Sequence, residues 1–261
     1  MPKSEIFSGA SHHISIGNRA LRLYYGVFTN TVPWAFLIVC IYLSFRHPSV
    51  LENHILLKDT WGGGGFVEKA TVAILLVGIC YGVGALIIHR KKFNNRLLYL
   101  WTIGWCLALI YFAGEEASWG QWYFGWETPE SVAVANKQQE TNLHNMSSWL
   151  NEKPRMLVEF WIIIAGIILP LLFTVKPGKR SGHWMRWIYP GFFGFSAVIC
   201  FCLLKAVGWI DSEAFIQLGN SELRELYIAY FLSLYLIWLY FALKRDESVP
   251  KTNGIAEKPE I

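Results

Sequence analysis

Six long apolar runs alternate with polar segments along the chain. A helix needs roughly 20 mostly apolar residues to cross the ~30 Å hydrocarbon core of a bilayer. The runs lie at about 26–45, 70–88, 97–114, 156–175, 188–209 and 226–243. This pattern predicts an all-α fold: a polytopic membrane protein with a bundle of about six transmembrane helices in one domain, residues 1–245. Residues 246–261 are polar, and we expect them to form a disordered tail.

Two runs contain residues that bear on helix packing. The first run includes Thr29, Asn30 and Thr31 ahead of Pro33, which we expect to kink the helix or to lie in its first turn. The second contains Gly78-x-x-x-Gly82, a spacing that lets two helices approach closely in a membrane.

Composition agrees with the hydropathy pattern. The chain is 54% hydrophobic and 16% charged, whereas soluble domains carry about 25% charged residues. A net charge of +4 is too small to indicate nucleic-acid binding, so we expect membrane lipids and no nucleic acid as partners. Protein partners do not follow from the sequence. The five cysteines lie within apolar runs, which is typical of packing residues.

The basic residues predict the orientation. Fifteen of the 23 Lys and Arg residues fall in the two terminal segments, the 90–96 segment and the 176–186 segment. With six spans these four segments lie on one side, and positive charge marks the cytoplasmic side. We therefore expect a multi-pass protein of the cell inner (plasma) membrane with both termini in the cytoplasm.

Two adjacent glutamates, Glu115 and Glu116, follow the third run directly and open the longest predicted outer loop. Adjacent helical residues point about 100° apart, so one carboxylate can face the bundle while the other meets the interface. If the helix continues, Glu115 forms a polar strip with Ser118 and Gln121. Glu115, Glu116, Ser118 and Gln121 are the candidate catalytic group, with Glu115 or Glu116 as general acid or base. The alternative is that both glutamates only cap the span in headgroup water.

The loop also contains a candidate metal pair. On a helix, Glu140 and His144 would stand at i and i+4 and could ligate one divalent ion, with a third ligand from elsewhere. A divalent metal is the only cofactor that the sequence suggests. The alternative is an ordinary surface pair. Three amides could support the site: Asn136, Asn142 and Asn145.

Four further charged residues lie at the predicted outer ends of other spans. Glu159 is near the start of the fourth span and Lys205 near the end of the fifth, so an ion pair between them is geometrically possible. Charges inside a membrane mark functional sites unless they are only snorkelling to the interface. Glu222 and Glu225 precede the sixth span and would complete an acidic ring.

The segment from Gly114 to Asn145 carries the motifs GEEASWGQ, TPE and NKQQETNLHN. Together they resemble the signature GEExSWGQ…TPE…NxQxExNLHN of an uncharacterised family of bacterial multi-pass membrane proteins. That resemblance implies membrane location and no assigned activity.

The adjacent glutamates also look like the Glu-Glu-x-x-x-Arg motif of the CAAX-type glutamic intramembrane proteases. Gly120 stands at the arginine position, and Ser148 stands where a His-x-x-x-Asn motif needs asparagine. Because two defining residues are absent, that activity is not transferred.

Two functions from different classes fit these residues. The first is a hydrolase or transferase that acts on a lipid or lipid-linked substrate at an outward-facing acidic and histidine site. The second is a small cation- or proton-coupled carrier, or an accessory membrane subunit without catalysis. A polar cavity that opens sideways to lipid would favour the enzyme, and a polar track across the membrane would favour transport.

Overall fold

The structure is a computed structural model, and it describes residues 8–56, 65–93, 95–136, 141–143, 146, 148–175, 187–188, 190–210 and 218–246. Over these residues the chain forms helices and no strands, which confirms the all-α prediction. Except for Asp246, the predicted tail lies outside the described residues. Six principal helices follow one another: α1 Ser8–Arg46, α2 Phe66–Ile88, α3 Arg96–Glu116, α4, α5 Phe195–Val207 and α6 Ser221–Asp246. Helix α4 consists of Ser148–Ile163, a π-helical turn at Ile164–Ile168 and Leu169–Val175.

Five of these helices are long and apolar enough to cross a membrane. The candidate spans are Tyr25–Arg46, Phe66–Ile88, Arg96–Glu116, Glu152–Thr174 and Ser221–Lys244. Helix α6 lies at the centre, because 61% of its apolar window is buried compared with 22–33% for the other four. The chain therefore has the character of a polytopic membrane bundle.

Hydrogen bonds from α6 tie the bundle together where α1 needs them. Pro33 lies inside α1, and since it has no N–H the carbonyl of Thr29 loses its helical donor. The Tyr230 hydroxyl donates to Thr29 O at 3.1 Å, and the Tyr227 hydroxyl donates to Pro33 O at 3.0 Å. In an apolar medium every backbone group needs a partner, so Tyr230 replaces the donor that Pro33 removes from Thr29 O.

The small-residue face on α2 has the packing role that its spacing predicts. A Cβ atom added to Gly78 would lie 2.8 Å from the Cα atom of Ser233 on α6. One added to Gly82 would lie 2.6 Å from Cys106 Sγ on α3 and 2.9 Å from a Leu236 methyl group on α6. The two glycines therefore set the close approach of α2 to both neighbours.

Helix α5 is shorter than its predicted 188–209 span. It begins at Phe195 after turns with positive φ at Gly191 and Gly194, and its 13 residues rise only about 20 Å. Asn30 of α1 caps its start: Asn30 Oδ1 accepts from Ser196 N at 2.9 Å, and Nδ2 donates to Phe192 O at 2.9 Å. The polar residue that dilutes the first span thus supports the beginning of a partial span.

The helices alternate in direction, so one end of the bundle collects charged groups. Glu68 near the start of α2 lies beside Glu116 at the end of α3 and Glu222 at the start of α6. Lys205 near the end of α5 pairs with Glu159 in the first half of α4. We call this the acidic end, and the candidate site lies there.

Candidate functional site

Helix α3 ends at Glu116 and does not continue as the predicted polar strip requires. Ser118 and Trp119 have φ of 45° and 55°, and Gly120 has φ of 96°. Left-handed backbone is uncommon for residues other than glycine, so two in succession mark a strained turn. The turn folds the following loop back over the end of α3.

Glu115 holds that loop in place. Its side chain accepts a hydrogen bond from Trp119 Nε1 at 2.7 Å and another from Leu143 N at 2.8 Å. The residue is only 4% exposed. A buried carboxylate with two such donors is well placed to fix a loop, and the predicted role as general acid or base therefore fits Glu115 less well than its neighbour.

The other two residues predicted to be catalytic bind the same loop. The Gln121 side chain donates to Thr128 Oγ1 at 2.8 Å, while its Oε1 accepts from Thr141 N at 2.8 Å. Ser118 is fully buried and accepts from Asn142 Nδ2 at 3.3 Å. Both side chains therefore belong to the hydrogen-bonded loop that covers the end of α3, which we call the cap.

Two of the predicted supporting amides complete this cap. Asn136 Nδ2 donates to both the backbone carbonyl and the side-chain oxygen of Asn142, at 2.7 and 2.8 Å. Both residues are buried. Glu140, His144 and Asn145 lie outside the described residues, so the predicted metal pair remains a prediction.

Glu116 points about 100° away from Glu115 around α3, toward α2 and α6. One carboxylate oxygen from each of Glu68, Glu116 and Glu222 lies within 4.8 Å of the other two. Glu225, one turn after Glu222 on α6, contacts the Glu116 carboxyl as well. Negative charges at this spacing repel one another strongly when they are out of water, and a shared proton, a bound cation or another partner reduces that repulsion.

Three of these carboxylates could hold a metal ion. Oxygen ligands lie about 2.0–2.6 Å from a hard divalent cation, so two ligands of one ion are at most ~4–5 Å apart. The observed 4.8 Å limit for Glu68, Glu116 and Glu222 meets that condition. Oxygen-only ligation suits Mg²⁺, Mn²⁺ or Ca²⁺. This position uses a different set of residues from the pair that the sequence suggested.

A chain of ion pairs lies next to the carboxylates. Lys205 on α5 pairs with Glu159 on α4, an ion pair that their depth in the predicted spans made possible. Arg155, one turn before Glu159, donates to it from Nε at 3.1 Å and to Glu225 on α6 from Nη1 at 2.7 Å. Glu225 therefore links this ion-pair network to Glu116.

The acidic groups border a cleft between three helices. Its floor comes from α6, and its two walls come from α3 and α4. The volume is about 170 Å³, many times the ~10–15 Å³ that one water molecule needs, so it is not a packing defect. The lining residues are Ala108, Tyr111, Phe112, Glu115, Glu116, Pro154, Arg155, Val158, Glu225, Ile228 and Leu232.

The cleft is polar at one end and apolar along the rest. Glu116, Arg155 and Glu225 lie at the acidic end, and successive turns of the same helices contribute aliphatic and aromatic side chains. Because α6 is central and α3 and α4 are peripheral, the mouth lies between the two peripheral helices. Leu107 and Leu157 on those helices are 61% and 69% exposed, so the surface around the mouth is apolar.

Aromatic rings lie one turn farther along the helices that form the cleft. The Trp105 and Trp161 ring centroids are 4.4 Å apart, and those of Trp161 and Tyr235 are 5.4 Å apart. Trp101 Nε1 donates to the Tyr235 hydroxyl at 2.8 Å. Within the described part of the chain, this cluster separates the polar end of the cleft from the far end of the bundle.

Sequence reasoning missed two members of the site. Glu68 precedes the second apolar run, and nothing in the sequence around it distinguishes it from other charged residues at span ends. Arg155 carried a usable signal, since it precedes Glu159 by four residues and could be expected to pair with it on a helix.

Comparison with known proteins adds no relative. No family model, no curated protein and no solved structure matches this chain. The resemblance of the Gly114–Asn145 segment to a bacterial membrane family therefore stays a prediction, and the site is interpreted from its geometry.

Proposed function

We propose that this protein is a membrane-embedded hydrolase or transferase that acts on a lipid or lipid-linked substrate in the cleft between α3 and α4. The observation that carries the proposal is the position of Glu116. It lines the cleft and also belongs to the carboxylate cluster, so it joins an apolar binding space to groups that can hold a proton or a cation.

The chemistry assigned to Glu116 is proton transfer. A carboxylate at the polar end of the cleft can accept the proton of an attacking water or hydroxyl group and return it to the leaving oxygen. Glu225 contacts Glu116 and is fixed by Arg155, so the ion-pair network orients the group next to the proposed base. A divalent cation bound by Glu68, Glu116 and Glu222 would add polarisation of an ester or phosphoryl oxygen.

The shape of the cleft favours an enzyme over a carrier. A lipid can enter from the side between α3 and α4, whereas an ion crossing the bundle would have to pass the Trp105, Trp161 and Tyr235 rings. The carboxylate cluster is what keeps the carrier alternative open, since acidic groups at this depth can also bind a transported cation.

The proposal includes a location. We assign the protein to the inner membrane with the acidic end outside and both termini in the cytoplasm. The distribution of Lys and Arg supports this orientation, and the antiparallel order of the helices agrees with it.

The test compares wild type with Glu116→Gln. Each variant would be expressed at equal amounts in a bacterial host, and membrane lipids would be compared by mass spectrometry. Any lipid that changes would then be offered to the purified protein in vesicles. We expect the wild type to convert at least one lipid, and Glu116→Gln to lower the rate by at least 100-fold, because general acid–base catalysis contributes about 10²–10⁴-fold.

The matched control is Glu152→Gln, which removes an exposed carboxylate from α4 and should leave the rate unchanged. Identical lipid profiles with and without the wild-type protein would contradict the enzyme proposal. Cation uptake into vesicles that is lost in Glu116→Gln, with no change in lipid, would instead establish the carrier.

A further inference from the structure

The cleft has a charge pattern that identifies the kind of lipid headgroup it suits. Its lining contains one cation, Arg155, and three carboxylates, Glu115, Glu116 and Glu225. Glu115 is already hydrogen-bonded to the loop, and Glu225 is paired with Arg155. Glu116 is therefore the carboxylate of the lining that is least committed to an ion pair or to the loop.

Arg155 also retains a free donor. Its Nε and Nη1 groups donate to Glu159 and Glu225, but Nη2 is buried and makes no hydrogen bond to any described residue. A buried guanidinium donor without a partner is costly, and phosphate is a preferred acceptor for arginine. Arg155 lines the cleft while Nη2 itself is covered, so a phosphate at the polar end would accept from Nη2 after a rotation of the guanidinium group.

The neighbouring arginine adds positive charge behind Arg155. Arg224 on α6 interacts electrostatically with Arg155, Glu159 and Glu225, and its Nε also has no hydrogen-bond partner among the described residues. With Lys205, the network has three cations for the two carboxylates Glu159 and Glu225. The positive charge of Arg155 and Arg224 would attract a phosphate placed at Arg155.

A headgroup with negative charge alone would be a poor match, however. The Glu116 carboxyl lines the same end of the cleft and belongs to the carboxylate cluster, so a purely anionic lipid would meet repulsion there. A headgroup that carries both a phosphate and an amine places a cation against Glu116 and an anion against Arg155. Its acyl chains would follow Phe112 and Ile228 along the apolar part of the cleft.

We propose that the cleft binds a zwitterionic phospholipid, with its phosphate on Arg155 Nη2, its primary amine on Glu116 and its chains between α3 and α4. This deepens the proposed function, because it rests on that cleft being the substrate site and names the substrate class; the ammonium group then takes the place of a divalent cation at Glu116. It concerns binding, so it can be measured without turnover.

The experiment is lipid binding to the full chain in detergent by native mass spectrometry. The probes are phosphatidylethanolamine, phosphatidylglycerol and phosphatidic acid with identical chains, and soluble glycerophosphoethanolamine as the headgroup without chains. We expect phosphatidylethanolamine to bind about tenfold or more tightly than the two anionic lipids, which corresponds to one charge-assisted contact. The soluble headgroup should bind at least tenfold more weakly, because it lacks the chains.

Two variants separate the two contacts. Glu116→Gln removes the amine partner without touching the ion pairs of Arg155, so the preference for phosphatidylethanolamine over phosphatidylglycerol should fall to about twofold or less. Arg155→Lys keeps a positive charge but loses the guanidinium fork, so all three phospholipids should bind about tenfold more weakly. Unchanged binding in Glu152→Gln serves as the control.

Equal affinity for the three lipids in the wild type would overturn the inference, and so would a preference that survives in Glu116→Gln. Failure of the proposed function gives a different result. Headgroup-selective binding without conversion of any lipid would leave the inference standing and remove the enzyme. Conversion of a lipid without headgroup-selective binding would support the enzyme and overturn the inference about the headgroup.

Discussion

Replacing Glu159 with glutamine should destabilise the bundle, because this carboxylate joins three helices. It accepts from Arg155 on its own helix and from Lys205 on α5, and Arg155 also reaches Glu225 on α6. Glutamine keeps the shape but loses the charge, and its amide N–H₂ must then face one of the two cations. The variant therefore tests the ion pairs with little change in volume.

The magnitude follows from how much water reaches each group. The Glu159 side chain is 10% exposed and that of Arg155 is 20% exposed, so their bond should be worth about 1.5–3 kcal/mol as a charge-assisted hydrogen bond. Lys205 is 33% exposed, and solvent screening reduces its pair to about 0.2–1 kcal/mol. Together these values predict a loss of about 2–4 kcal/mol in the free energy of unfolding.

The measurement is equilibrium unfolding in mixed detergent micelles, with Glu152→Gln as a control for removing an exposed carboxylate from the same helix. Lys205→Met and the double variant with Glu159→Gln complete a double-mutant cycle, which should give a smaller coupling than the whole effect. A Glu159→Gln variant within 0.5 kcal/mol of wild type (roughly the limit for surface substitutions) would refute the idea that this network holds the three helices together.

Two further predictions concern helix packing and orientation. Gly78→Ala should lower the free energy of unfolding by about 1–3 kcal/mol, because the added methyl group would overlap the Ser233 backbone. The matched control is Gly104→Ala, where an added Cβ atom would have nothing within 4 Å. Equal stability of the two variants would contradict the packing argument. A reporter protein that is active only in the cytoplasm should be active when it is fused to either terminus. Activity of a reporter that works only after export, at either terminus, would contradict the orientation.

The fold was largely readable from the sequence because membrane spans are specified by local composition. Twenty apolar residues in succession predict a helix wherever they occur, and the spacing of Gly78 and Gly82 predicts close packing without knowledge of the partner. The short length of α5 could not be predicted from local composition. The start of α5 is capped by Asn30 of α1, which lies about 165 residues earlier and bonds to the backbone of Phe192 and Ser196.

The candidate site was only partly readable, since its members come from four helices. The depth of Glu159 and Lys205 in their spans allowed an ion pair, with snorkelling of Lys205 as the alternative, and the structure contains the pair. Adjacency of Glu68 to Glu116 depends on how α2 packs on α3, which no local pattern encodes. The end of α3 was predicted to within about two residues, but the turn after it was not, because left-handed backbone at Ser118 and Trp119 is uncommon for these residue types.

The adjacent pair at the end of α3 shows how two like residues acquire different chemistry. Glu115 and Glu116 differ by about 100° around the helix axis, so one turns toward the loop and the other toward α2 and α6. Glu115 meets backbone and indole N–H donors, which fix the loop. Glu116 meets other carboxylates, so its environment changes whenever a proton, a cation or an amine arrives. The second glutamate is therefore the one whose replacement should change function, and the first is the one whose replacement should loosen the loop.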